Sequence, residues 1–333
     1  MSDRFIAVHQ VKEPKGAPTA DDFAFVPGEM PPAGPGTALV ENLYLSVDPY
    51  MRECMNGVWG LHNPLEGRSI GRVLQSHDPR LAVGDLVFHR QGWRTHAVVT
   101  PEEARVLPQA EGVPLSAFLS VLGGTGLSAY VALTQIARFT EGESLFISAA
   151  AGGVGTAAGQ LARILGAGRV IGSAGSAAKV RHLTEDLGFD AAFDYHDGPV
   201  TELLRKAAPD GVDVCLENVG GDHLEAAIDV VRPHGRIVWC GAVSTYNNPE
   251  EPPAAPRNLY DVVGKSLRLE GFLVREYPHL QEEMESVLIP HIQSGRLVPD
   301  ETVVDGFGHV VDAFLGMLRG ENTGKMIVRT GQA

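Results

Sequence analysis

The segment AAAGGVG at residues 149–155 has the composition of a turn that binds the phosphates of a nucleotide. An apolar run leads into it and the pattern VGTAAGQLARILG (154–166) follows, which predicts a strand before the turn and a helix after it. Gly152 and Gly155 have the spacing that lets a backbone approach a diphosphate, whose charge then faces the N–H groups of the first helical turn. Ala149 stands where the GxGxxG pattern has its first glycine. The motif alone also fits a tightly packed turn that binds nothing.

The stretch GSAGSAAK (172–179) decides which dinucleotide the turn would bind. A site for NAD needs a carboxylate here to accept a hydrogen bond from the ribose 2′-hydroxyl, and the stretch has none. It has instead Ser173, Ser176 and Lys179, which suit a 2′-phosphate. We therefore expect NADPH as the cofactor; the alternative is that Lys179 is only a solvated helix residue.

Strands and helices that alternate along the middle of the chain must position these residues. This alternation predicts an α/β fold with a parallel sheet covered on both faces, and six strands match a doubly wound dinucleotide fold. Residues 1 to about 120 instead consist of short strand-like runs between Gly, Pro and Asp, and the tail after residue 296 is again strand-like. The strands are expected at 143–149, 169–175, 191–195, 212–219, 236–242 and 267–274, with helices at 154–166, 176–188, 200–208, 222–232 and 278–294.

Composition and charge exclude several classes of function. The 333 residues carry a net charge of −14 and no run of Lys and Arg, so we expect no nucleic-acid partner. The cysteines Cys54, Cys215 and Cys240 are far apart, which argues against disulfides and a structural zinc site and favours the cytoplasm. No apolar stretch predicts a signal peptide or a membrane helix.

Several motifs together resemble one family, the zinc-independent medium-chain dehydrogenase/reductases, and within it the prostaglandin reductase and alkenal double-bond reductase branch. They are LYLSVDPYMR (43–52), AAAGGVGTAAGQLA (149–162), ENVGG (217–221), CGAVSTYN (240–247) and GFLV (271–274). The resemblance implies a GroES-like β-barrel domain, formed by residues 1–122 and 297–333. A Rossmann domain at 123–296, a doubly wound parallel sheet, would be inserted within it. It also implies that no metal is bound.

The resemblance assigns roles to further residues. It places Tyr50 at the floor of the nicotinamide pocket and Tyr246 beside the nicotinamide and the substrate, where a phenol can donate a hydrogen bond to a developing oxyanion. An open alternative is that Tyr246 only binds the cofactor, with a ribose hydroxyl as the donor. Asn218 also follows a predicted strand, at the edge where such sheets bind ligands. The cofactor contacts implied are Gly152, Gly153, Val154, Gly155, Lys179, Tyr195, Asn218, Cys240, Gly241, Ala242, Ser244, Thr245, Tyr246, Phe272, Leu273, Val274 and Asn322.

The expected activity is zinc-independent, NADPH-dependent reduction of the carbon–carbon double bond of α,β-unsaturated ketones or aldehydes, with hydride added to the β-carbon. The expected substrates are alkenals, enones or oxo-prostaglandin-like compounds. Two alternatives are an NADPH quinone reductase and a non-catalytic NADPH-binding protein. The loops at 56–66 and 248–257 are expected to border the substrate. The resemblance also implies a homodimer, formed through the strand LRLEGFLV (267–274).

Overall fold

A computed structural model describes residues 4–248 and 254–331. Six strands form a parallel sheet in the order β10-β9-β8-β11-β12-β13. Numbered from β8, this is the order 3-2-1-4-5-6 of doubly wound dinucleotide folds, which brings the carboxyl ends of the strands to one edge. The strands are β8 (Ser144–Ile147), β9 (Arg169–Ala174), β10 (Ala191–Asp194), β11 (Val212–Glu217), β12 (Val231–Trp239) and β13 (Arg268–Gly271).

Helices cover both faces of this sheet, so its central strand β8 is buried at every position. This two-sided burial explains why the strands read as continuous apolar runs rather than as alternating patterns. Two of the helices, α2 and α4, continue into one π-helical turn each, at Ala132–Ile136 and His182–Asp186. The helices are α2 (Gly124–Val131), α3 (Gly153–Ile164), α4 (Ala177–Arg181), α5 (Val200–Ala207), α6 (Gly221–Val230), α7 (Asp261–Gly264) and α8 (Gln281–Gln293).

A second, mainly antiparallel sheet is built from both ends of the chain. Its order is β14-β15-β3-β4-β5-β7, with β6 paired to β3. The tail strand β15 pairs with β3, and β14 lies parallel to β15. Its strands are β3 (Ala38–Ser46), β4 (Ser69–Ser76), β5 (Leu86–His89), β6 (His96–Val99), β7 (Arg105–Val106), β14 (Glu301–Asp305) and β15 (Lys325–Arg329); β1 (Phe5–Gln10) and β2 (Phe23–Gly28) form a separate pair.

The structure confirms the predicted fold class and the six alternating strands. Four helices were not predicted: α1 (Tyr50–Cys54) lies within the motif SVDPYMR, α2 (Gly124–Val131) precedes β8, α7 (Asp261–Gly264) precedes β13, and α9 (Val310–Leu318) separates the two tail strands. The short α1 lacks a full apolar period, and α9 lies in a region expected to be strand-like. The domain limits at residues 122 and 297 stay a prediction.

Candidate functional site

The glycine turn joins β8 to α3 at the carboxyl edge of the parallel sheet. Ala149 has a φ of 49°, and Ala150 N donates to the carbonyl oxygen of Ser173 at 2.8 Å, which fixes the turn to β9. Gly155 faces the turn so closely that a Cβ atom there would lie 2.5 Å from Ala150 O. A larger residue at this position would therefore push the turn away from the helix.

The amino end of α3 is open to a ligand. Its N-cap, Gly152, provides no side-chain cap, and the first turn contains no acidic residue. Gly153, Val154 and Gly155 supply N–H groups that an α-helix leaves without intrahelical partners. These groups and the helix dipole attract an anion, so the turn can hold the diphosphate of a dinucleotide.

The C-terminal tail lies directly against this turn. Gly152 and Gly324 form a parallel bridge, and Gly324 N donates to Ala151 O at 2.8 Å. Gly324 has a φ of 64° and packs against the carbonyl oxygen of Asp300, which leaves no room for a side chain. Asn322 is buried, and its Nδ2 donates to Gly324 O at 2.7 Å. The tail is therefore part of the wall beside the glycine turn.

The residues predicted to select the cofactor lie at the end of β9. Ser176 caps α4 and accepts a hydrogen bond from Lys179 N at 3.3 Å. Lys179 Nζ donates to the tail carbonyl of Gly320 at 2.6 Å, and burial lowers the pKa of this ammonium. Ser173 is fully buried, and its Oγ has no hydrogen-bond partner among the described residues. Ser176 and Lys179 thus lie together near the tail, with Ser173 beneath the surface.

Tyr195 and Asn218 follow β10 and β11. Tyr195 is 39% exposed, its hydroxyl lies against Gly175, and its ring meets the His223 ring edge to face at 5.4 Å. Asn218 Nδ2 donates to Ser148 O at 2.8 Å, and its backbone N donates to Ser148 Oγ at the same distance. Both residues lie at the carboxyl edge of the sheet, and the amide of Asn218 is fixed by the end of β8.

A buried carboxyl group that the sequence did not single out shapes the loop after β11. Glu217 Oε1 accepts from the backbone N of Val219 and of Gly220, each at 2.7 Å. Its backbone oxygen accepts from Cys240 N at 2.8 Å. Burial raises the pKa of Glu217 to about 7. Glu217 therefore fixes the loops after β11 and β12 to each other.

The loop 240–246 folds back on the loop after β11. Ser244 Oγ donates to Val219 O at 2.6 Å, and Thr245 Oγ1 donates to Ala242 O at 2.8 Å. Ala242 N donates to the Tyr246 hydroxyl at 3.4 Å. The phenol oxygen is therefore an acceptor in this contact, and its own hydrogen has no acceptor among the described residues.

The surroundings of Tyr246 keep its phenol protonated. Gly241 lies against its hydroxyl, and Cys240 is half-buried nearby. Burial, reinforced by the negative charge of Glu53, raises the pKa of Tyr246 to about 12. Burial also raises the pKa of the Cys240 thiol to about 12, so this cysteine is not a reactive thiolate.

Apolar residues follow β13. Phe272 and Val274 are half-buried, Leu273 is 49% exposed, and the Phe272 ring meets Tyr277 edge to face at 6.3 Å. These side chains provide a hydrophobic surface without a polar group.

Helix α1 of the antiparallel-sheet domain contributes Tyr50. Its hydroxyl donates to Glu66 Oε2 at 3.4 Å, and the Arg68 guanidinium lies 5.2 Å from its ring centroid. Burial, more than any neighbouring charge, raises the pKa of Tyr50 above its ordinary value. Glu53 and Cys54 follow Tyr50 by three and four residues and so share its helix face. The negative charge of Glu53 on this face also raises the pKa of Tyr246.

An ion cluster connects α1 to the glycine turn. Asp48 lies 3.2 Å from Arg68 Nη1 and 3.3 Å from Lys325 Nζ, and it accepts from Ser46 Oγ at 2.7 Å. These charges together lower the pKa of Asp48 to about 2, although burial alone would raise it. The Lys325 side chain packs against Gly153, the first residue of α3. Arg52, although close to Asp48 in the sequence, is not part of this cluster and binds Asn56 Oδ1 and Gly16 O.

Neither a metal site nor a membrane-spanning helix is present among the described residues. Within residues 4–248 and 254–331, no group of three or more His, Cys, Asp and Glu side chains is arranged to hold a metal ion. Over the same ranges, no helix is long and apolar enough to cross a membrane. Of the two loops expected to border the substrate, 248–257 lies partly outside the described residues.

Comparisons with known proteins agree with this architecture. A family model described as the N-terminal domain of oxidoreductase matches residues 7–107, and one described as zinc-binding dehydrogenase matches residues 153–294. The chain is 38% identical over 305 residues to the NADP(+)-dependent 2-alkenal reductase of Nicotiana tabacum, covering 89% of this chain and 88% of that one. It is 37% identical over 319 residues to prostaglandin reductase 1 of Mus musculus, covering 95% and 96%.

A solved structure also has the same fold. The crystal structure of CurA in complex with NADPH from Vibrio vulnificus superimposes with a TM-score of 0.92 at 32% identity, covering 98% of this chain and all of that one. Sequence identity over nearly the full length, together with the two family models, decides the classification. The chain belongs to the medium-chain dehydrogenase/reductase family, within the zinc-independent branch that contains the alkenal and prostaglandin reductases.

Proposed function

We propose that this protein is an NADPH-dependent reductase of the carbon–carbon double bond of α,β-unsaturated ketones or aldehydes. The observation that carries the proposal is that Tyr246, a protonated phenol whose hydrogen has no acceptor among the described residues, lies on the same sheet edge as the open end of α3. Two relatives support it by name, since one is an NADP(+)-dependent 2-alkenal reductase and another is a prostaglandin reductase. The CurA structure of similar fold contains NADPH.

The residues present fit this cofactor. Gly153 and Gly155 leave space where a Cβ atom would collide with Lys325 or Ala150, so a diphosphate can approach the first N–H groups of α3. Lys179 is a half-buried cation with no carboxylate partner among the described residues, which suits the 2′-phosphate of NADPH. Ser176, Tyr195 and Asn322 are proposed as further contacts at this end. Ser173, being fully buried, is proposed only as a support beneath it.

The reaction requires a hydrogen-bond donor that stabilises the negative charge developing on the substrate. NADPH, when bound, supplies the hydride that the β-carbon of the substrate receives. Charge then builds up on the carbonyl oxygen as an enolate, and a hydrogen bond from Tyr246 stabilises it. A proton added at the α-carbon then completes the saturated product. Tyr246 suits this task because its oxygen already accepts from Ala242 N and its own hydrogen is unused. The apolar residues Phe272 to Val274 would limit water access beside it.

The Tyr50 hydroxyl differs from the Tyr246 hydroxyl in its hydrogen bonding. Its hydroxyl hydrogen is already donated to Glu66, which in turn lies 2.5 Å from Arg90 Nη2 as an ionic contact. We propose that Tyr50 forms the opposite wall of the pocket and orients the substrate, while Tyr246 is the hydrogen-bond donor. The bond to Glu66 is long at 3.4 Å, so a substrate oxygen can compete for it.

One assay tests the proposed activity. NADPH oxidation is followed with a medium-chain 2-alkenal, an enone and a benzoquinone, each with a zinc chelator present. Turnover of the alkenal or enone that survives the chelator, with saturation of the double bond in the product, supports the proposal. Faster turnover of the quinone would favour the quinone reductase alternative. Tight NADPH binding without turnover of any acceptor would favour a non-catalytic binding protein.

We also propose that the protein is a cytoplasmic homodimer without nucleic-acid or membrane partners. The net charge of −14 disfavours phosphate backbones, and the three cysteines are free thiols. The edge strand β13 pairs only with β12 among the described strands, so its other side is available to a second copy. Light scattering of the purified protein measures the oligomeric state directly.

A further inference from the structure

His182, which begins the π-helical turn after α4, stands between two carboxylates. Its Nδ1 lies 2.8 Å from Asp186 Oδ2 in the same turn, and its Nε2 lies 3.2 Å from Asp300 Oδ1, just before β14. An ionised carboxylate only accepts hydrogen bonds and a neutral imidazole has a single N–H, so an imidazolium alone satisfies both contacts. Burial lowers the pKa of His182, but the hydrogen bonds and charges of Asp186 and Asp300 outweigh it and raise that pKa. His182 therefore joins the end of α4 to the C-terminal tail.

Asp300 lies against the part of the tail that borders the glycine turn. Its side chain is 14% exposed, and among the described residues its carboxylate has a hydrogen-bond donor only in His182. Its backbone oxygen accepts from Lys325 N at 2.8 Å, and a Cβ atom on Gly324 would lie 2.7 Å from Asp300 Oδ2. Gly324 N donates in turn to Ala151 O at 2.8 Å. His182 is therefore connected to the glycine turn through Asp300 and Gly324.

A second side chain of the same helix also reaches the tail. Lys179 stands three residues before His182, and its Nζ donates to Gly320 O at 2.6 Å. The two side chains therefore hold the tail at two points, Gly320 and Asp300. Lys179 has hydrogens left for a 2′-phosphate, whereas both nitrogens of His182 are occupied by carboxylates. His182 is thus placed to support the site without contacting the cofactor.

We infer that His182 is a positioning residue for NADPH, since its Nε2 holds Asp300 against Gly324 and so keeps the tail on the glycine turn. This inference rests on the proposed function and adds a residue that acts on the cofactor through others. Without the contact, the carboxylate of Asp300 would be buried without a donor, and only a turn outward into water would restore its hydration. That movement removes the support behind Gly324 and loosens its bond to Ala151. The diphosphate beside this turn is common to NADPH and NADH, so both should bind more weakly by the same factor.

Two neutral substitutions of His182 separate its two contacts. The amide nitrogen of a Gln side chain stands close to the place of Nε2, so His182→Gln keeps a donor for Asp300. The amide nitrogen of Asn stands close to the place of Nδ1, so His182→Asn keeps a donor for Asp186 only. We expect the Kd for NADPH and the Kd for NADH each to be about fivefold higher in His182→Asn than in His182→Gln, because a hydrogen bond to a charged group is lost. With an enone and saturating NADPH, kcat should agree within about twofold between the two variants.

A measurement without NADPH follows the same contact directly. The N–H of Gly324, which is bonded to Ala151 O, should exchange its hydrogen faster in His182→Asn than in His182→Gln. Asp186→Asn is the matched control, since it removes the other contact of the imidazole at an exposed position and should leave both Kd values within about twofold of the original. If His182→Asn does not fold, Asp300→Ala takes its place, because it removes the same contact and leaves no unpaired carboxylate.

Equal Kd values or equal exchange at Gly324 in the two His182 variants overturn the inference, while reduction of an enone by the unaltered protein upholds the proposed function. An effect of Asp186→Asn as large as that of His182→Asn overturns it too. So does a rise in the Kd for NADPH alone, because the effect would then pass through Lys179 and the 2′-phosphate. The expected Kd pattern without turnover of any enone supports the role of His182 in binding and overturns the proposed function. Absence of NADPH binding by the unaltered protein overturns both.

Discussion

Lys325 Nζ lies 3.3 Å from Asp48 Oδ1, and both side chains are buried. This pair joins the tail strand β15 to the segment before α1, next to the first residue of α3. Arg68 binds the second oxygen of Asp48 and covers the ring of Tyr50. One carboxylate thus holds together the wall of the proposed pocket and the glycine turn.

Removing the charge of Asp48 should destabilise the protein strongly. Asp48→Asn leaves the buried Lys325 and the half-buried Arg68 without their counter-charge, so we expect a loss of about 3–5 kcal/mol in the free energy of unfolding. Chemical denaturation at neutral pH measures it. Asp305→Asn is the control, because Asp305 pairs with Arg329 at the surface and should cost less than about 1 kcal/mol. Equal effects of the two substitutions would show that the buried cluster has no special role.

Replacing Tyr246 tests the proposed oxyanion donor. Tyr246→Phe removes the hydroxyl but keeps the ring, so we expect kcat to fall about 100-fold, the usual cost of losing one such donor. The Kd for NADPH should stay unchanged, as measured by quenching of protein fluorescence. A loss of NADPH affinity with kcat preserved would instead assign Tyr246 to cofactor binding and leave a ribose hydroxyl as the donor.

Reversing the charge of Lys179 tests the choice of cofactor. Lys179→Glu should raise the KM for NADPH at least about tenfold and leave the KM for NADH nearly unchanged, because only NADPH carries the 2′-phosphate. Lys206→Glu on α5 makes the same change of net charge at an exposed position and should affect neither. Equal increases for NADPH and NADH in Lys179→Glu would remove this residue from the phosphate site.

The raised pKa of Glu217 predicts how the free energy of unfolding depends on pH. Its pKa is about 7 in the folded protein and 4.5 ordinarily, so its contribution is complete below pH 4.5 and is lost as the pH rises through 7. Glu217→Gln keeps an oxygen for the N–H groups of Val219 and Gly220 but cannot ionise. At each pH the free energy of unfolding of the unaltered protein is subtracted from that of this variant. We expect this difference to increase by about 2–3 kcal/mol from pH 5 to pH 8. Urea unfolding at both pH values measures this difference, and a flat difference would contradict the prediction; Glu202→Gln is the control.

The sequence predicted the parallel sheet well, because its strands and helices have strong and distinct patterns. All six strands begin within about five residues of the expected positions, and the turn at 149–155 lies between β8 and α3 as expected. The helix α9 was missed because the tail was interpreted from its strands alone. Its apolar residues Val310, Val311, Phe314 and Leu315 repeat at helical spacing, and this signal could have identified it.

The ion cluster and the position of Glu217 were beyond the reach of sequence patterns. Asp48, Arg68 and Lys325 are far apart along the chain, and no periodicity indicates that neighbouring strands of the antiparallel sheet bring them together. The same holds for Ser148, whose contact with Asn218 depends on the order of strands in the sheet. Conversely, the small residues Gly152 and Gly155 could be interpreted from the sequence, because their role depends on local geometry alone.

The bridge between Gly152 and Gly324 has a consequence for the order in which the protein is completed during synthesis. The ribosome synthesises the chain from its N-terminus to its C-terminus. All six strands of the parallel sheet have been made once residue 271 is added. The glycine turn receives its neighbour only when Gly324 follows. The nascent sheet can therefore form well before its cofactor edge is finished, and a chain that ends before residue 320 would keep the sheet but lack one side of the binding edge.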